Sequence, residues 1–196
     1  MTNILQELSG DIAGVVRLTR DSLVRITNGH SGMGSGTVWS SEGLIITNAH
    51  VVQHASPTVV LPDGRGLPAR VLAHDPQRDL ALLSVKAGGL KPLDLRGGQP
   101  IQAGELVFAV GHPWGVARAA TAGIVIGLGA DLPEIAGTQR EWLMVSLVLR
   151  PGNSGGPLVD VDGRLVGVNT IMTGPEVGGA VPVHVVKQFL REATLN

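Results

Sequence analysis

The stretch Gly152-Asn153-Ser154-Gly155-Gly156-Pro157-Leu158 sets a serine between glycines, so a tight turn can present its hydroxyl beside bare backbone N–H groups. A carbonyl attacked by that hydroxyl would develop an oxyanion, which needs donors about 2.7–3.1 Å away. The amides of Gly152 and Ser154 could supply them. Taken alone, a glycine-rich run of this kind also reads as a loop between two strands. A serine hydroxyl is a weak nucleophile at neutral pH and needs an adjacent base, usually a histidine held in one tautomer by a buried carboxylate. His50 ends the apolar run Leu44-Ile45-Ile46-Thr47-Asn48-Ala49-His50-Val51-Val52, and Asp79 opens Asp79-Leu80-Ala81-Leu82-Leu83, each where a strand meets a loop. Singly, His50 reads as a satisfied structural histidine and Asp79 as an ordinary strand-start residue. With Ser154 they make a nucleophile, a base and an orienting acid.

The order His, Asp, Ser is one of three known for such triads and belongs to the chymotrypsin-like arrangement. The chain resembles the protease domain of the HtrA/DegP group of trypsin-like serine proteases. The resemblance spans roughly Val24 to Leu190 and is carried by Gly34-Ser35-Gly36-Thr37-Val38, Thr47-Asn48-Ala49-His50-Val51-Val52, Asp79-Leu80-Ala81-Leu82-Leu83, Gly111-His112-Pro113-Trp114-Gly115 and the Ser154 loop. Gly163-Arg164-Leu165-Val166-Gly167-Val168-Asn169-Thr170 and Gly178-Gly179-Ala180-Val181-Pro182 resemble the strands that follow the nucleophile, and Asn153 points to the HtrA branch. The resemblance implies a serine endopeptidase acting on unfolded or misfolded polypeptides, with His50, Asp79 and Ser154 catalytic and Gly152, Asn153 and Ser154 forming the oxyanion hole. By position relative to the nucleophile, Val148 would floor the substrate pocket, with Asn169, Thr170, Ile171 and Met172 along one wall. Such a pocket has no acid to pair with Lys or Arg, so small or medium aliphatic residues are expected before the cleaved bond, with broad selectivity. Relatives often rest with a distorted oxyanion loop, which keeps a second reading open: a chaperone-like or adaptor module on a latent protease scaffold.

The elements that must position these groups are short strands. With 28 Gly and 12 Pro in 196 residues and valine and leucine in short runs, the pattern favours an all-β fold. The length suits two six-stranded antiparallel barrels of the chymotrypsin type, flanked by short terminal helices. The first barrel, residues 22–97, carries His50 and Asp79, with strands at Leu23–Ile26, Gly36–Trp39, Leu44–Thr47, Thr58–Leu61, Ala69–Ala73 and Leu80–Val85. The second, residues 98–183, carries Ser154, with strands at Leu106–Val110, Ala119–Ile126, Trp142–Val145, Pro157–Asp160, Leu165–Thr170 and Ala180–Val183. Ala130 to Gln139 reads as a loop near the site. Ile4, Leu5, Leu8, Ile12, Val15 and Val16 have helical spacing within residues 1–21, and residues 184–196 read as a closing helix.

Aromatic residues make up 3% of the chain and the net charge is −1, so neither stacking platforms nor a basic surface recommends nucleic acid or an anionic membrane as partner. There are no cysteines, hence no disulfides and no thiolate metal sites. His30, His54, His74 and His112 lack ligand spacing with a nearby carboxylate, so neither metal nor cofactor is expected. The first residues show no basic region or long apolar stretch. The expected setting is thus cytoplasmic as the chain stands, and periplasmic or extracellular if a targeting segment has been removed. In the family the N-terminal segment often makes trimers, which implies a homotrimer here, although the usual aromatic side chains are missing from it. The chain ends soon after the second barrel, where many relatives continue into PDZ domains.

Overall fold

Residues 23–182 alternate between short apolar runs and turn residues, and the computed structural model folds them into strands. It describes residues 3–27, 33–53, 56–117, 119–129 and 140–194, with the side chains of Leu5, Ile171, Thr173 and Thr194 excepted. The expected loop at 130–139, and His30 and His54, lie outside these residues. Helix α1 (Ile4–Arg20) precedes β1 (Leu23–Thr27), β2 (Met33–Val38), β3 (Leu44–Thr47), β4 (Thr58–Val60), β5 (Gly66–Asp75) and β6 (Leu80–Val85). Then come β7 (Leu106–Gly111), β8 (Ala119–Gly129), β9 (Trp142–Ser146), β10 (Pro157–Val159), β11 (Leu165–Gly174), β12 (Val177–Pro182) and α2 (Val183–Thr194). The first six strands close into one barrel in the order β1-β2-β3-β6-β5-β4, and the others into a second in the order β10-β11-β12-β9-β8-β7. All pairs are antiparallel, so the fold is the two-barrel all-β architecture expected of the sequence.

Several strands outrun their apolar signal. β5 continues to Asp75 because exposed and half-buried residues alternate along it, a pattern that leaves few apolar positions to read. β8 and β11 are similarly long; β5 and β8 each carry a register shift and β11 carries two against β12. Such bulges insert an unpaired residue, bend the strand round the barrel and re-aim a side chain.

Each barrel has its own core. Val24, Ile26, Ile45, Val59, Ala81 and Leu83 fill the first, and Val107, Ala109, Leu143, Val145, Leu158 and Ala180 the second. A third cluster joins the two: Ile46, Leu80 and Leu82 meet Trp142, Met144, Val168 and Val181, and Val186, Phe189 and Leu190 of α2 pack into the same cluster. Helix α2 thus closes the barrel interface. α1 precedes the first barrel in sequence yet docks on the second, with Val15 against Phe108 and Val159.

Candidate active site

The pairing of β3 with β6 sets Thr47 opposite Ala81, which brings the residues after β3 to those before β6. His50 lies on a 3-10 turn, Ala49–Val52, directly after β3. Asp79 precedes β6 with a left-handed backbone, φ 53°, a conformation Asp tolerates better than bulkier residues. Asn48 holds it there by donating from Nδ2 to the Asp79 carbonyl at 2.9 Å. The Asp79 carboxylate accepts from the His50 backbone N–H at 3.1 Å and from His50 Nδ1 at 3.0 and 2.9 Å. Thr170 donates its hydroxyl to Asp79 Oδ2. An ionised carboxylate can only accept, so Nδ1 carries the imidazole proton and Nε2 keeps its lone pair.

Asp79 is 8% exposed, and burial alone would raise its pKa. The hydrogen bonds from His50 and Thr170 outweigh burial and hold it below the ordinary carboxylate value. Its folded pKa is therefore lower than its unfolded one, about 3.9. The stability this contributes is fully present above the unfolded value and is lost as the pH falls through the folded one. Thermal unfolding of the protein and of Asp79→Asn is expected to show a gap in midpoint that is constant near neutrality and narrows below about pH 4. A gap independent of pH down to acid unfolding would contradict this.

Ser154 sits between β9 and β10. Asn153 N–H donates to the Arg150 carbonyl at 2.9 Å, closing an Arg150-Pro151-Gly152-Asn153 turn with Gly152 at φ 103°. That is a type II turn, with Pro at its second position and Gly at its third. Trp114 N–H donates to the Pro151 carbonyl at 2.9 Å. Peptide planarity therefore turns the Gly152 N–H the opposite way. Among the described residues, neither the Gly152 nor the Ser154 amide donates a hydrogen bond. Ser35 Oγ donates to the Gly152 carbonyl at 2.7 Å and its N–H to the Ser154 carbonyl at 2.8 Å, so β2 buttresses the turn from below. A Cβ on Gly155, at φ 84°, would collide with the Ser35 carbonyl. The Ser154 hydroxyl donates to the Thr170 carbonyl at 3.1 Å.

The pocket residues expected from the sequence take different places. Val148 is half-buried, whereas Leu149, 7% exposed, packs against the position of a Cβ on Gly178. Met172, 42% exposed, accepts the Leu149 N–H on its sulfur at 3.1 Å. Asn169 is fully buried and donates from Nδ2 to the Pro157 carbonyl at 2.9 Å, which braces the start of β10. Thr170 falls at the β11 register shift between Asn169 and Ile171, and its side chain meets Asp79. The side chain of Ile171 lies outside the described residues. A cavity of about 770 Å³ lined by Arg78, Arg140, Glu141 and Trp142 contains none of His50, Asp79 and Ser154.

A family model described as the trypsin-like peptidase domain matches residues 34–168, which takes in His50, Asp79 and Ser154. The chain belongs to the trypsin-like peptidase family. Within the family it is HtrA/DegP-like. It is 37% identical over 165 residues to the mitochondrial serine protease HTRA2 of Drosophila pseudoobscura pseudoobscura, covering 82% of this chain and 39% of that protein. It is 40% identical over 139 residues to a DegP-like protein of Pseudomonas fulva named as a periplasmic serine endoprotease, covering 70% of this chain and 29% of the other. The crystal structure of the serine endoprotease from Yersinia pestis superposes with a TM-score of 0.83 at 28% identity, covering 92% of this chain and 65% of that one. The chain thus spans less than two fifths of the length of these two curated relatives.

For this trypsin-like peptidase domain, sequence reasoning assigns no contact to Ser35 or Leu149 and a different one to Thr170. Ser35 lies between Gly34 and Gly36, and that small-residue run is the signal of a close approach by another segment. Thr170 was readable as a pocket wall, while the bulge that re-aims it leaves no mark in composition. Leu149 stands one position beyond Val148, and periodicity alone does not say which of the two faces Gly178.

Proposed function

We propose that the chain is an HtrA-like serine endopeptidase that hydrolyses peptide bonds of unfolded or misfolded polypeptides. The observation that carries this reading is Thr170, whose hydroxyl bonds the acid Asp79 while its carbonyl receives the hydroxyl of Ser154. One residue thereby links the His50–Asp79 pair on the first barrel to the nucleophile on the second. In the reaction, Ser154 Oγ turns from Thr170 toward His50 Nε2, which takes its proton as the oxygen attacks the peptide carbonyl. The Gly152 and Ser154 amides, which have no other acceptor among the described residues, receive the oxyanion. His50 then protonates the leaving amine, and water deacylates the serine by the same route in reverse. Asn153 supports the hole by closing the turn, since its own N–H is spent on Arg150.

The residues taken for the substrate pocket, among them Val148, Thr170 and Met172, carry no charge, which supports cleavage after small or medium aliphatic residues. Polypeptide is the partner class. The family implies a homotrimer through the N-terminal helix, on which Ile4 and Leu8 are exposed. Among the described residues no helix is long and apolar enough to cross a membrane. The periplasm, where the DegP-like relative is named as residing, is the compartment we carry over.

The test is a fluorophosphonate label read by mass on the protein and on Ser154→Ala, with casein degradation followed in parallel. Labelling and casein loss are expected together, and both are expected to vanish in the variant. A well-folded protein that takes no label would overturn the endopeptidase reading in favour of a binding module.

A further inference from the structure

We infer that Arg78 is a positioning residue for Asp79: its ion pair with Glu192 ties the turn that carries the acid to α2, the helix that follows the second barrel. This rests on the endopeptidase reading above. Asp79 meets His50 from a left-handed backbone, φ 53°, a conformation that costs a non-glycine residue energy and persists where its surroundings hold it. The turn before it closes on itself through Asp75, whose Oδ1 accepts the N–H groups of Gln77 at 2.8 Å and of Arg78 at 3.0 Å. Those bonds shape the turn. They do not set where it stands relative to the second barrel, which brings Thr170 and Ser154 to the site.

That placement comes through both chain neighbours of Asp79, and each leads to α2. Leu80 is fully buried in the cluster that Val186, Phe189 and Leu190 of α2 enter, so packing fixes the residue after the acid. The residue before it is held differently. The cavity of about 770 Å³ is lined by Gln77 and Arg78 of the turn and, from the other side, by Trp142, Val181 and Val185. Packing does not fill that space, and the contacts that bridge it are polar. Arg78 Nη1 lies 2.6 Å from Glu192 Oε2, and Arg140, just before β9, donates from Nη2 to the Pro76 carbonyl at 3.1 Å. Both partners of the ion pair are oriented. Gln188, one turn earlier on α2, donates to Glu192 Oε1 at 3.0 Å while Oε2 faces Arg78, and Asp75 Oδ2 lies 3.5 Å from Arg78 Nε. With side chains 29% and 49% exposed, Arg78 and Glu192 contribute little to stability. Their effect falls on catalysis, where a displacement of about 1 Å can cost about 10²-fold in rate, and Arg78 stands one residue from the acid.

The test compares Arg78→Gln, Arg78→Lys, Glu192→Gln and the double variant Arg78→Gln/Glu192→Gln by kcat and KM on an aliphatic peptide substrate, by the His50 Nδ1 proton resonance and by thermal unfolding. Arg78→Gln and Glu192→Gln are each expected to lower kcat about tenfold with KM little changed, because the turn loosens and the imidazole is mis-set while the pocket stays as it is. The double variant is expected to be no slower than either, since both changes remove the same tie. Arg78→Lys, which keeps a cation, is expected to recover most of the rate. Glu192→Gln separates a tie from a charge effect, because it leaves Arg78 positive beside Asp79; it also lies on an exposed helix position, so it keeps the test decisive should Arg78→Gln fold poorly. Unfolding midpoints are expected to move by no more than about 3 °C. The His50 Nδ1 proton is expected to shift or broaden in both single glutamine variants and to return in Arg78→Lys, a readout that needs no turnover. Glu192→Gln at the unaltered rate with an unaltered resonance would overturn the proposal, as would additive losses in the double variant. Absence of fluorophosphonate labelling in the unsubstituted protein would instead overturn the endopeptidase reading, and the His50 resonance would still decide the role of Arg78.

Discussion

Replacing His50 with alanine is expected to lower kcat about 10⁶-fold, a loss of about 8 kcal/mol in transition-state stabilisation. The magnitude follows from how completely the proton path depends on one nitrogen. Nδ1 is committed to Asp79 at 2.9 Å, so only Nε2 can receive the Ser154 proton. No other described imidazole is placed to substitute: His74 Nε2 lies 3.1 Å from the Ala49 carbonyl, His112 Nδ1 3.2 Å from Ser35 Oγ, and His184 Nε2 2.9 Å from Glu141 Oε2. Rate is expected to fall with little change in stability. The His50 side chain is 41% exposed, and Asp79 keeps its bonds from the His50 backbone N–H and from Thr170. A residual rate about 10³ above the uncatalysed one should persist from binding and the oxyanion hole. Steady-state turnover of a peptide ester beside a thermal unfolding curve checks both halves. A variant within tenfold of the unsubstituted protein would remove His50 from the role of base.

The twelve strands were readable because each barrel is built from Val, Leu and Ile runs broken by Gly and Pro, as in Leu44–Thr47 and Leu80–Val85. His50, Asp79 and Ser154 could be picked out as candidates because each sits in a local motif that keeps its meaning without the fold. What escaped reading depends on contacts between distant segments. Ser35 meets Gly152 across 117 positions and Thr170 meets Asp79 across 91, so no window of sequence contains either pair. Trp114 stood in the readable motif Gly111-His112-Pro113-Trp114-Gly115, yet its grip on Pro151 requires knowing that the second barrel brings the two loops together. α1 was legible as a helix from its spacing, whereas its docking on the second barrel depends on Phe108 and Val159, far along the chain. Local chemistry is thus written locally, and the orientation of that chemistry is set by the closure of the barrels.

Asp79→Asn is expected to lower kcat about 10⁴-fold while leaving the fold intact, since the exchange is nearly isosteric. The carboxylate faces donors on both oxygens: Oδ1 takes the His50 N–H and Nδ1, and Oδ2 takes Nδ1 and the Thr170 hydroxyl. An asparagine has one accepting oxygen, and its NH₂ must be set against one of these partners. If the NH₂ meets Nδ1, the imidazole moves its proton to Nε2 and can no longer accept from Ser154. If it turns to Thr170, whose hydroxyl can accept, Nδ1 keeps its partner but the imidazolium formed in the transition state loses its neutralising charge. Either arrangement disables the base, through the tautomer in the first case and electrostatics in the second. The Nδ1 proton resonance of His50 separates them, being lost in the first arrangement and kept in the second. Turnover within about tenfold of the unsubstituted protein would show that neither the tautomer nor the charge of Asp79 limits the rate. Read with the acid unfolding curves, the result would tie one carboxylate to both the stability of the His50 turn and the strength of its base.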